Sequence, residues 1–135
     1  MKKLAIDLTY QPVGGALTQI KELIKSVNTY SFDRVIFYIV KENLHLFNEC
    51  NDKKIVLKIM PFSNVSIFLR TLWAQLLLPF LLKLENIDIL FCPGNIAPIF
   101  GIVKKVQWIG TIGPFENDFF SFHSRKQKIV LFVSK

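Results

Sequence analysis

The run Val35-Ile36-Phe37-Tyr38-Ile39-Val40 constrains the fold of this chain more than any other segment. Side chains of a strand point alternately to its two faces, so a strand apolar at every position must be covered on both. That is the setting of an inner strand in a parallel sheet flanked by helices. The residues before it fit this setting. Leu17, Ile20, Ile24 and Val27 make one apolar stripe while Thr18, Lys21, Glu22 and Lys25 face away, the pattern of an amphipathic helix. Ahead of that helix, residues 4–9 are a short apolar run closed by Gln11-Pro12-Val13-Gly14-Gly15. Strand, glycine loop, helix and strand together form a βαβ unit.

The alternation continues to residue 109. Residues 41–50 read as a short helix and residues 54–59 as a third strand, ended by Met60-Pro61. A long helix capped at Asn64 or Ser66 then carries Arg70 and Trp73, and Pro79 should end or kink it, because proline removes a backbone hydrogen bond. Residues 87–92 and 103–109 read as fourth and fifth strands, and residues 129–133 as either a sixth strand or the start of a helix. The expected fold class is α/β, an open doubly wound parallel sheet. Right-handed crossovers place every strand-to-helix loop along one sheet edge. With 135 residues, 51% of them hydrophobic, the chain has the size of one domain.

Charge and cysteine usage narrow the function classes. Seventeen Lys and Arg against 10 acidic residues give a net charge of +7, dispersed along the chain, which is mostly a solubility feature and would also favour anionic membranes, phosphorylated ligands or nucleic acid. No RNP-type aromatic motif, zinc spacing or basic helix supports a nucleic-acid partner. Cys50 and Cys92 lack Cys-x-x-Cys spacing and read as free thiols of a reducing cytoplasm. Asp7 breaks the amino-terminal apolar run too early for a signal peptide. Residues 65–84 are divided by Arg70, Gln75 and Lys83 and read as a buried or membrane-surface helix rather than a span.

Three segments carry candidate chemistry. Gly14-Gly15, between strand and helix, allows close backbone approach to a phosphate; it also suits an ordinary turn. Arg70, Trp73 and Gln75 keep fixed spacing in an otherwise apolar helix, where Arg70 either meets a ligand or lays its stem over an aromatic face. The loop after the fifth strand holds Glu116 and Asp118, with His123 following. No metal-ligand, Ser/His/Asp or Cys/His constellation can be assembled.

Several of these segments, in order, resemble the amino-terminal domain of family 4 glycosyltransferases. The resemblance rests on Gly14-Gly15-Ala16 after the first strand and on Arg70, Trp73, Gln75, Leu78 and Pro79, similar to R-x-x-W-E-Q-x-x-L-P. It continues through Asp88-Ile89-Leu90-Phe91-Cys92-Pro93-Gly94-Asn95 with Pro98, similar to D-x-L-F-x-P-x-N-x-x-P, and Pro114-Phe115-Glu116. It implies one Rossmann-like half of a GT-B architecture, spanning residues 1–135 and incomplete at its carboxyl end. Gly14 and Gly15 would approach the diphosphate of a nucleotide-sugar donor. Arg70, Trp73, Gln75, Asn95, Thr111 and Glu116 would line the acceptor-side cleft. The partners implied are a nucleotide sugar, a glycan or lipid-linked acceptor, a carboxyl-terminal half in trans and an anionic membrane; no metal or other cofactor is expected. The implied setting is cell-surface polysaccharide synthesis at the cytoplasmic side of the membrane. Two departures stand out. Ala74 takes the place of the family's Glu, which leaves Arg70 either free for a ligand or simply less well positioned, and Gly110-Thr111 stands where relatives often show His-Asp or Gln-Asn. The nucleotide-binding half lies outside these residues, so the chain by itself is expected to transfer no sugar. The alternative is a catalytically inert, basic Rossmann-like domain that binds a membrane or another protein.

Overall fold

The computed structural model describes residues 1–29, 31–61, 67–94, 96–101 and 103–108. Its centre is a five-stranded sheet of order β3-β2-β1-β4-β5, built from β1 (Lys3–Leu8), β2 (Arg34–Ile39), β3 (Ile55–Ile59), β4 (Ile89–Cys92) and β5 (Lys104–Gln107). Every neighbouring pair is parallel. The chain is therefore an α/β protein with a Rossmann-like sheet, as the apolar β2 required.

Alternate residues of the strands make two cores. Leu4, Ile6 and Leu8 with Val35, Phe37 and Ile39 pack against Ile20 and Ile24 of α1 (Gly15–Ser26) and Phe47 of a 3-10 helix (Lys41–Phe47). Ala5, Ile36, Tyr38, Leu90 and Cys92 face Trp73, Ala74, Leu78 and Leu82 on the other side. Those four lie in one helical segment made of α2 (Ile67–Leu72), a π turn (Trp73–Leu77) and α3 (Leu78–Leu84).

Pro79 does not end this segment. Helix runs on to Leu84, with Pro79 in the first turn of α3 directly after the π turn. A proline has no N–H for the carbonyl four residues back, and the wider π turn is one way a helix accommodates that loss. The helix leaves through Asn86 in the left-handed region (φ 53°), where the Ile87 amide donates to the Leu82 carbonyl at 3.0 Å. The caps expected at Asn64 or Ser66 fall outside the described residues, as do residues 109–135.

Candidate functional site

The strand order places the topological switch between β1 and β4, whose following connections depart to opposite faces; ligands of open α/β sheets bind at such a crevice. Three residues from different elements meet there. The Arg70 guanidinium, from α2, lies over the Tyr10 ring just past β1, with 4.7 Å between its carbon and the ring centroid. Gly94, just past β4, is buried against both: a Cβ at that position would stand 2.7 Å from Arg70 Nη2 and 3.0 Å from Tyr10 Cε1. A side chain here would make the tip of Arg70 shift and would press on the Tyr10 ring, so the glycine lets the cation keep its place over the ring.

Asp7 forms the floor. It is 4% exposed, and its Oδ1 accepts from the Thr9 amide at 3.0 Å and the Thr9 hydroxyl at 2.6 Å. Burial pushes the Asp7 carboxyl above its usual range, and the Thr9 hydrogen bonds and the Arg70 charge only partly offset this. Its register partner on β2 is Tyr38, whose phenol is pushed up to about 12, first by burial and then by Asp7. The Cys92 thiol, on the same face of β4, is raised by burial and by Asp7. Buried in the core and held in its neutral form, the thiol serves as a packing group. Both cysteines are free.

Arg70 is the unbalanced member. Burial disfavours its charge, with Asp7, Tyr10 and Cys92 acting the other way. Among the described residues it forms no ion pair, and its Nε is enclosed without a hydrogen-bond partner. Ala74, where the resemblance expects a Glu, is buried in the core beside Trp73 and Leu78.

The fold divides the residues selected from sequence. Gly14 and Gly15 open α1 at the same sheet edge as Gly94, with open space where a Cβ would stand. Trp73 does not line the crevice: it is 4% exposed and packs in the core, its ring 5.9 Å from that of Tyr38. The aromatic ring under Arg70 is Tyr10, supplied by a different element. Gln75 is a clamp on the loop before β5, donating to the Ala97 carbonyl at 2.9 Å and accepting from the Ile99 amide at 2.8 Å. Asn95, Thr111 and Glu116 lie outside the described residues, as do Asp118 and His123.

Sequence reasoning missed Asp7, Tyr10, Gly94 and Asn43. Asn43, fully buried on the 3-10 helix, donates its amide to the carbonyls of Leu8 and Tyr10 at 2.9 and 2.8 Å and so fixes the loop that carries Tyr10. The one local signal was Asp7, a lone acid in a strand buried on both faces. No group of His, Cys, Asp and Glu able to hold a metal occurs among the described residues. A cavity of about 540 Å³, lined by Lys21, Lys25, His45 and Cys50 among others, lies on the α1 side of the sheet and shares no residue with the crevice. Comparison with known proteins found no matching family model, no matching curated protein and no matching solved structure.

Proposed function

We propose that this chain is the acceptor-side half of a glycosyltransferase, which moves a sugar from a nucleotide-sugar donor to a glycan or lipid-linked acceptor in cell-surface polysaccharide synthesis. The observation that carries the reading is the β1–β4 crevice, where Arg70, Tyr10 and Gly94 meet on a Rossmann-like sheet at the edge that also bears Gly14 and Gly15. The ordered motifs from Gly14 to Pro98 support it. A two-domain transferase encloses donor and acceptor between two walls, and this chain supplies one. The test incubates the chain with nucleotide sugars and with glycan and lipid acceptors, with and without a carboxyl-terminal half in trans. Transfer only with the second half is the expected result. Robust transfer by the chain alone, or none in either case, overturns the proposal.

A second reading, an inert basic domain at the inner face of an anionic membrane, draws on the outer surface of the 67–84 helix. Leu69, Leu72, Leu76, Phe80 and Leu84 follow one another at helical spacing and are all exposed, where a surface helix normally turns polar residues outward. Lys83 and Lys105 flank a groove of about 280 Å³ that continues this surface to Phe100. No helix among the described residues is long and apolar enough to cross a membrane. Vesicle sedimentation separates the readings: binding to anionic but not neutral lipid, lost in Leu76→Glu and without any transfer activity, selects the inert domain.

A further inference from the structure

We propose that Arg70 and Tyr10 form an oxyanion receptor that takes a phosphate group. The inference rests on the β1–β4 crevice being the binding site, and not on any sugar chemistry there. It begins from an imbalance of donors and acceptors. Arg70 Nε and Tyr10 Oη are both enclosed, and among the described residues neither has a hydrogen-bond partner. A guanidinium only donates and a phenol is most readily satisfied by donating, so what the pair lacks is an acceptor. The nearest fixed acid does not supply it: Asp7 Oδ1 accepts both donors of Thr9, and among the described residues Asp7 forms no ion pair with Arg70. Leaving a half-buried cation and an enclosed hydroxyl unpaired is unfavourable, and such groups in a folded protein call for a missing partner.

The chemistry of that partner follows from the donors. A guanidinium fork engages two oxygens of a carboxylate or phosphate side by side. The Tyr10 hydroxyl adds a third donor from a different element, which a tetrahedral phosphate can meet with a further oxygen and a carboxylate cannot. Gly94 completes the receptor by its lack of a side chain, since it lies against both Arg70 Nη2 and the Tyr10 ring. Asn43 holds the Tyr10 backbone from the opposite face of the sheet. The receptor is therefore held by residues of three elements.

The experiment follows the Arg70 Nε–H signal of the full chain by NMR while inorganic phosphate is added at constant ionic strength. Acetate and chloride serve as controls, and glycerol 3-phosphate and pyrophosphate separate a lipid-type monoester source from a nucleotide-type diphosphate source. A saturable phosphate shift is expected, weakened about tenfold or more in Arg70→Met, less in Arg70→Lys, and a few-fold in Tyr10→Phe. Tyr10→Phe keeps the ring under the guanidinium, so it and Arg70→Lys decide the matter if Arg70→Met fails to fold. Tighter binding of either phosphate ester than of phosphate itself supports the receptor and names its source. No shift at Arg70, the same shift with chloride or acetate, or unchanged affinity in both Arg70→Lys and Tyr10→Phe overturns it. Phosphate binding without sugar transfer retires the transferase reading alone, and transfer without phosphate binding at Arg70 retires the receptor alone.

Discussion

The sheet face that meets α1 and the face that meets the 67–84 helix are made from alternate residues of the same strands, but they differ at depth and at the outer surface. Toward α1 the strands present Leu4, Ile6, Leu8, Val35, Phe37 and Ile39, and the far side of α1 is polar, with Thr18, Lys21, Glu22 and Lys25 exposed. Toward the 67–84 helix they present Ala5, Ile36, Tyr38, Leu90 and Cys92, with Asp7 at the carboxyl edge, and the far side of that helix is apolar. The first side is a finished layer: one apolar stripe buried, one polar stripe in water. The second keeps ionisable groups inside and apolar groups outside. Local disagreement of this kind is expected where a site, rather than stability, sets the residues.

The largest effect should come from breaking the finished layer. Phe37 is fully buried and meets the Phe47 ring edge-on at 4.9 Å. Phe37→Ala should cost about 3–5 kcal/mol, from lost burial and the cavity left behind. Its neighbour on the other face gives the contrast. Tyr38→Phe keeps the ring beside Trp73 and removes a buried hydroxyl that has no partner among the described residues, so it should be neutral or stabilising within about 1 kcal/mol. Urea unfolding of both variants measures the difference, and equal losses would show the two faces to be equally intolerant.

A smaller effect is expected from the ionisable side of the comparison. Asp7 is raised above its ordinary value of 3.8 by burial, so the folded chain holds this proton more tightly than the unfolded chain does. The stability it contributes is fully present below 3.8 and is lost as pH rises through the raised folded value. Asp7→Asn should therefore gain on the wild type as pH rises toward neutrality and fall back relative to it in acid. Urea midpoints of the two proteins across that range give the difference directly. A difference that does not move with pH would place the Asp7 carboxylate in an environment as favourable as water.

The layers were legible in the sequence because their signals are local. The apolar run of β2, the stripe of α1 and the turn residues after each strand depend on neighbours a few positions away, and the expected strands agree with those observed to within a residue or two at most ends. The crevice was not, because it depends on register between strands distant in sequence. Asp7 meets Tyr38 across 31 positions, a pairing set by the whole β1–β2 ladder. The helix spacing of Arg70 and Trp73 suggested a cation beside an indole, but the fold turns Trp73 into the core and lays the cation on Tyr10, 60 positions earlier in the chain. Gln75 followed the same logic: its spacing was visible, its loop partner was not. Pro79 marked the local conflict; of the two outcomes expected there, an end or a kink, the end does not occur, and a π turn directly precedes the proline.

The smallest effects should separate two adjacent glycines on the edge that both layers share. Gly14 sits at φ 57° and ψ −133°, a conformation that side chains disfavour, so Gly14→Ala should cost about 1 kcal/mol or more although nothing lies near its missing Cβ. Gly15 is the first residue of α1, has no positive φ and faces open space. Gly15→Ala should then change stability by no more than about 0.5 kcal/mol, in either direction, since alanine is also the better helix former. The open space gives the second residue its functional test. If the α1 start approaches a donor diphosphate, Gly15→Val should leave folding nearly intact and weaken donor use in a reconstituted two-domain enzyme, because the branched side chain occupies the space the phosphates need. Urea unfolding and donor KM divide the outcomes. Equal stability losses at the two positions would contradict the loop geometry, and unchanged donor KM in Gly15→Val would leave the pair with a turn to make and no ligand to meet.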